Sequence, residues 1–252
     1  MFKRKSIFEN LPTFTDAQSG VEMPVRFYRS EIILSYFECD LEPLLPLMPH
    51  PRMHPVRRGN HKSALAIIQT QVLHASILPY RSVSLAIPVT LGKWPAPSYL
   101  PLWFEESWGN KGFYLYKEGV SSSESFEART EIWGYPVFLA EIQQQMLDTG
   151  VQETELLEEE RILTTRVKRP DYVHASEREL KFYSVKQNIV CENKFKMECS
   201  LASSRAPDAS LVVFGKHPVG AQLKSMNVGP YSLETWYYFD MQAIQFAPDY
   251  LD

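Results

Sequence analysis

Glu131 and Tyr135 lie in the stretch Thr130-Glu131-Ile132-Trp133-Gly134-Tyr135-Pro136-Val137-Phe138-Leu139-Ala140. Tyr80-Arg81-Ser82 sets a phenol, a guanidinium and a hydroxyl side by side, and Arg29 adds a second guanidinium near the N-terminus. A carboxylate sheltered from water is a general acid or base. A guanidinium grips a carboxylate through two parallel hydrogen bonds. A phenol donates to a carbonyl oxygen. Each residue also has a plainer use: Glu131 paired to an arginine on a helix, Arg81 in solvent, the tyrosines in a core. His74 reads as a structural histidine at the end of an apolar strand. His50 and His54 have helical spacing, but Pro51 and Pro55 forbid a regular helix there, and no Cys or carboxylate cluster joins them or His61. No metal site and no cofactor is therefore expected. Ser121 to Ser125 lacks the Gly-x-Ser-x-Gly elbow of a hydrolase, and the glycines form no phosphate loop.

The elements that must position these groups are mostly strands. At 252 residues the chain is long enough for one sizeable core. Aromatic content of 13% and 18 prolines point to a mainly β (α+β) fold with many turns. Strands are expected over 26–37, 64–73, 83–89, 112–116, 138–146, 162–168, 184–191, 194–202 and 209–215, with an apolar final segment over 231–244. A short helix is expected over 41–48, interrupted by Pro46. A second spans 122–133, capped by Ser122 or Ser123 and stopped by Gly134. Residues 95–101 carry three prolines and read as a turn or edge. The acidic run 153–161 reads as a solvated face, helical or at a hairpin tip. Residues 220–228 read as loop. Residues 1–22 read as an N-terminal arm, and 23–252 as one domain. A net charge of −4 argues against nucleic acid or an anionic membrane as partner. No apolar run approaches a membrane span. No apolar segment follows the basic Met1–Lys5, which argues against a secretory signal. Three cysteines without a Cys-x-x-Cys spacing fit free thiols in a reducing, cytoplasmic setting.

Several motifs in order carry a resemblance. Phe27-Tyr28-Arg29-Ser30-Glu31 is followed by Tyr36 and Asp40, then His74, Pro79-Tyr80-Arg81-Ser82-Val83 and Ala86-Ile87-Pro88-Val89. The Trp133-Gly134-Tyr135-Pro136 turn comes next, then Leu211–Phe214, His217-Pro218 and Asp249-Tyr250-Leu251. Together they resemble the acetoacetate decarboxylase family over roughly residues 24–251. The resemblance implies a largely antiparallel, closed, cone-like β-barrel with a few helices. Its interior holds one small ligand. A homo-oligomer is also implied.

In that family the Gly-Tyr-Pro or Ala-Tyr-Pro turn precedes two lysines. The first forms a Schiff base, its pKa lowered by the second cation and by the apolar pocket. Here those positions are Val137 and Phe138, which offer neither nucleophile nor charge. The family's Glu falls at Ser82 and its first-strand Arg at Ser30, next to Arg29. Its Arg-Glu element falls at Thr130-Glu131, with Arg129 one place off. An offset of one residue on a strand reverses the face, so neither Arg29 nor Arg129 is expected to substitute safely. The segment 108–123 exceeds the family length and suits a lid or an oligomer contact.

The resemblance thus implies an imine-free enzyme acting by acid–base chemistry on a small or medium oxo-acid or polyketide-like compound, by isomerisation, cyclisation, dehydration or hydrolysis. Glu131 and Tyr135 are the expected catalytic residues. Tyr80, Arg81, Ser82, Arg29 and Trp133 would hold the ligand, with Val137 and Phe138 as apolar wall. The alternatives are a non-catalytic binding protein on the same fold, and a decarboxylase whose lysine has moved to Lys62, Lys93 or Lys117.

Overall fold

The computed structural model describes residues 6–17, 19–99 and 109–251. Seven strands close into a barrel: β3 (Val25–Asp40), β5 (Lys62–Ala75), β6 (Tyr80–Leu91), β7 (Lys111–Val120), β12 (His174–Lys186), β13 (Ile189–Ser204) and β15 (Ser232–Gln245). The circuit runs β6-β5-β3-β15-β13-β12-β7 and returns to β6. Every pairing is antiparallel except the seam. There β7 and β12 run parallel, Phe113 opposite Phe182 and Tyr114 opposite Tyr183. Gly112 makes this seam possible: a Cβ at that position would lie 2.6 Å from the Tyr183 ring and 2.7 Å from the Lys181 carbonyl oxygen.

Period-2 alternation sorts the side chains into two cores. On β6, Tyr80 and Ala86 face the barrel interior, with Ile32 and Leu34 of β3 and Ala66 and Ile68 of β5. Val83, Leu85, Ile87 and Val89 face outward into a second core. Both faces of β6 are covered, which explains its unbroken apolar run. The cover is a four-stranded sheet in the order β14 (Ser210–Phe214), β11 (Glu160–Lys168), β10 (Val151–Glu158), β9 (Glu141–Met146). It contributes Ile142, Leu156, Leu163 and Val212 to the second core.

The remaining elements dress this frame. β1 (Phe14–Thr15) and β2 (Glu22–Met23) form a small hairpin within the expected arm. A 3-10 helix spans Glu42–Leu47, and β4 (Met53–Pro55) extends the sheet beside β6. Helix α1 (Ser123–Glu131) is capped by Ser122, which accepts from the Ser125 amide at 3.2 Å. β8 (Val137–Leu139) pairs in parallel with residues 118–120 of β7, and β16 (Asp249–Leu251) pairs with β13.

Three expectations are corrected, and for the acidic run the structure chooses the hairpin of its two alternatives. Residues 220–228 are not loop: α2 (Pro218–Ser225) lies there, with Pro218 in its first turn and the His217 ring as its N-cap. Gly220 is a packing residue, since a Cβ there would meet the Ile162 carbonyl at 2.6 Å. The acidic run 153–161 is the β10–β11 hairpin, turning at Glu159 with φ +56°. The strand expected at 184–191 is the meeting of β12 and β13 around a turn at Gln187 and Asn188. The expected lid at 108–123 contains β7, a barrel strand; Trp108 lies outside the described residues, as do Leu100 and Pro101 of the expected 95–101 turn. The three cysteines are free and buried. Among the described residues no helix is long and apolar enough to cross a membrane.

Candidate active site

Strict alternation along β7 would place Phe113 and Leu115 inside the barrel and Glu118 outside. A bulge breaks the alternation. Leu85 pairs with Lys117 and Ala86 with Leu115, so Tyr116 is skipped. An extra residue on one strand reverses the faces beyond it. Glu118 consequently shares the inward face with Leu115 and lies opposite Ser84, fully buried.

Arg129 reaches the same place from α1. Its Nε donates to Glu118 Oε2 at 2.7 Å, and Ser84 Oγ donates to Glu118 Oε1 at 2.9 Å. Arg129 Nη1 donates to Tyr80 Oη at 3.0 Å. Its guanidinium also lies over the Tyr135 ring, 5.1 Å from the centroid, a cation–π distance. Gln245 Nε2 donates to Tyr135 Oη at 3.2 Å. Trp133 stacks on Tyr135 with centroids 6.2 Å apart, and its Nε1 donates to the Phe246 carbonyl at 2.8 Å. Between Trp133 and Tyr135 the chain turns at Gly134, whose φ of +65° favours glycine.

The electrostatics follow from burial. Desolvation works against the Arg129 charge, but the Glu118 carboxylate more than offsets it and holds the guanidinium protonated well beyond its usual range. Burial pushes the Tyr80 and Tyr135 phenols up, with Arg129 pulling against it. Both tyrosines therefore remain neutral hydroxyls at ordinary pH. They can donate a hydrogen bond to an oxyanion.

Arg129, Tyr80, Ser84 and Gln245 line one side of a cavity whose other walls include Phe27, Ile32, Ile68, Leu115, Phe182 and Phe195. Its free volume of ≈ 30 Å³ accommodates about two waters. The described lining contains no lysine. Val137 packs against this interior core and pairs in register with Glu118. The position that the resemblance gives to the reactive lysine is thus the strand neighbour of the buried carboxylate.

The expected residues divide. Tyr80, Trp133 and Tyr135 are buried in the interior core, and Ser82 is buried on the face of β6 that carries Tyr80 and Ser84. Glu131 is corrected: it is exposed at the end of α1, and the interior carboxylate is Glu118. Arg81 is corrected too. It is exposed on the outward face of β6, beside Glu31, Gln69 and Gln144 in the gap under the four-stranded sheet. Arg29 is exposed beside a bulge in β3, and Phe138 packs into the outer core. Arg129 was set aside by a strand argument, but it sits on a helix. There an offset of one residue turns the side chain by about 100° rather than reversing it. Glu118 and Gln245 were missed; the only signal for Glu118 was a charge in a strand otherwise rich in aromatics. Lys62 pairs with Asp40 at 2.7 Å, Lys93 lies by Trp94 and Lys117 by Tyr116, none lining the cavity. No group of three metal-binding side chains occurs among the described residues.

No protein-family model matches the chain, and no curated protein matches its sequence. Solved structures do match its fold. An acetoacetate decarboxylase from Legionella pneumophila superposes with TM-score 0.63 at 12% identity, covering 91% of this chain and 87% of that one. Another acetoacetate decarboxylase gives TM-score 0.61 at 14% identity, covering 90% and 89%. The enduracididine biosynthesis enzyme MppR, complexed with pyruvate, gives 0.59 at 9% identity, covering 91% and 90%. The barrel is of the acetoacetate decarboxylase-like fold.

Proposed function

We propose that the barrel cavity is the ligand site of an imine-free acid–base enzyme acting on a small or medium oxo-acid or polyketide-like compound. The observation that carries this reading is the buried Glu118–Arg129 pair, whose Arg129 lines a mostly apolar cavity, with Val137 the strand neighbour of Glu118. In this reading Arg129 holds the ligand's carboxylate or carbonyl oxygen. Glu118 removes a proton from the adjacent carbon, and Tyr80 and Tyr135 donate to the enolate oxygen that forms. Returning the proton at another carbon completes an isomerisation; expelling a β-substituent completes a dehydration. The fold's occurrence in a decarboxylase and in a pyruvate-binding enzyme supports the ligand class.

The test needs no named substrate. Pyruvate, 2-oxobutyrate and acetoacetate are incubated with protein in D2O, and α-proton exchange is followed by NMR. The expected result is exchange above the buffer rate, lost by about 100-fold or more in Glu118→Gln and retained in Glu131→Gln. Equal loss in both variants would reject Glu118 as the base.

A second reading is favoured by one observation: both Glu118 oxygens, the Tyr80 hydroxyl and the Tyr135 hydroxyl already have protein partners. A carboxylate with both oxygens satisfied, and phenols whose oxygens already accept, also suit a non-catalytic binding protein. Ligands that bind and leave unchanged, with no exchange, would decide for it. Trapping of a lysine adduct with borohydride would instead revive the displaced-lysine alternative.

A further inference from the structure

The charge balance of the inner cavity separates the two ligand classes it has been offered. Of its described lining residues all but Thr70 are buried, and Arg129 is the one charged side chain among them. That charge is already met. Arg129 Nε lies 2.7 Å from Glu118, whose side chain is fully buried behind it. Val137, the strand neighbour of Glu118, adds no charge. Viewed from the cavity, the pair sums to zero.

A carboxylate entering this space would lose its water shell. It would find a cation already balanced, with the Glu118 carboxylate close behind as a like charge. A ketone oxygen loses far less on leaving water, and donors await it. Arg129 uses Nε on Glu118 and Nη1 on Tyr80, while its Nη2 donates to no described residue. The Tyr80 hydroxyl accepts from Arg129, which leaves its own proton to donate. The facing walls, Phe27, Ile68, Phe182 and Phe195, suit alkyl groups.

We propose that the inner cavity selects an uncharged ketone over the anion of an oxo-acid, with the ketone oxygen between Arg129 and the Tyr80 hydroxyl and its alkyl groups against Phe27, Ile68, Phe182 and Phe195. The inference rests on this cavity being the ligand site, and it narrows the ligand there to the uncharged, polyketide-like class.

Pyruvate and 3-methylbutan-2-one are the matched probes. Both carry an acetyl group and the same number of non-hydrogen atoms; a carboxylate in one is an isopropyl group in the other, so size drops out of the comparison. Each is titrated into the intact protein at neutral pH and constant ionic strength. Binding is followed by saturation-transfer NMR, and α-deuteration in D2O is followed in parallel. The ketone is expected to bind more tightly by about tenfold or more, with methyl contacts to Phe195 and Met241. Glu118→Gln leaves the Arg129 charge unbalanced, so in that variant the order is expected to reverse, and pyruvate to raise the melting temperature more than the ketone does. The order in the unmodified protein needs no variant, so a weakened fold in Glu118→Gln does not remove the test. Pyruvate bound as tightly as the ketone, binding of neither, ketone contacts away from Phe195 and Met241, or an unchanged order in Glu118→Gln would each overturn the proposal. The two readings fail separately. A ketone that is preferred but not deuterated upholds the selection and removes the proton transfer, whereas pyruvate that is preferred and deuterated does the reverse.

Discussion

At the inner end of the barrel, a carboxylate and a guanidinium lie 2.7 Å apart and almost fill the space between them and the apolar wall. At the outer end, beside a much larger chamber, Lys181 lies 3.6 Å from Glu192. Both ends place charge inside the same apolar frame. The inner end pairs its charge, because an unpaired charge in a closed, dry site is too costly to keep. The outer end holds its Lys181–Glu192 pair at the looser distance of 3.6 Å, which is tolerable where the side chains are partly exposed. The contrast teaches that a charge pair is held close where it is shut from water and loosely where water reaches it.

The largest expected effect tests the pairing. Glu118→Ala or Arg129→Met alone should destabilise the fold by about 3–5 kcal/mol in urea unfolding, because each leaves an uncompensated buried charge. Glu118→Leu combined with Arg129→Met should recover most of that loss. Single variants that unfold within about 1 kcal/mol of wild type would mean that the pair is solvated, and the contrast between the ends would fail.

Next comes the seam that shapes the outer chamber. Gly112→Ala should lose about 1–3 kcal/mol, because its Cβ must displace the Tyr183 ring or the Lys181 backbone. It should leave the α-proton exchange proposed for the inner end largely intact. Loss of that exchange would show that the two ends of the barrel do not respond separately.

The phenols of the inner end give a pH signature. Tyr80 and Tyr135 are raised above the ordinary value of 10.0, chiefly by burial. Their contribution is fully present below about pH 10, because the unfolded chain then binds no fewer protons than the native one. It declines as pH rises further and the unfolded phenols ionise first. Urea midpoints should therefore fall above about pH 10, and less steeply in Tyr80→Phe and Tyr135→Phe. An unchanged slope in both variants would place these hydroxyls in water. The smallest effect is expected at Arg81, exposed on the outward face: Arg81→Gln should stay within about 0.5 kcal/mol and leave α-proton exchange unaffected.

Much of the frame was legible in the chain. The apolar runs over 64–73 and 83–89 mark strands covered on both faces, and Ser122 with Gly134 brackets helix α1, which packs on the barrel's interior core. The Gly-Tyr-Pro turn is legible because a positive φ favours glycine. The site was legible in part. Tyr80, Tyr135 and Trp133 were picked out as residue types and lie in the interior. Glu131 is the acid that the resemblance singles out through its Arg-Glu element, and Glu118 is not legible, because simple alternation from Phe113 puts it outside. Helix α2 is not legible either: what makes Gly220 a helix residue is the Ile162 carbonyl packed against it.

The sequence by itself determined the apolar strands over 64–73 and 83–89, the helix α1 and the turn at Gly134, since propensity, capping and a positive φ act over a few residues. Only the tertiary structure decided which charges face inward. The bulge that turns Glu118 into the barrel exists in the pairing of β7 with β6, not in β7 alone. The contact of Arg129 with Glu118 depends on the angle at which α1 caps the barrel. The separation of the two chambers depends on Phe113 and Phe182 meeting across a seam between strands distant in the chain. Local preference fixes what each segment becomes; partner strands fix which of its faces is dry.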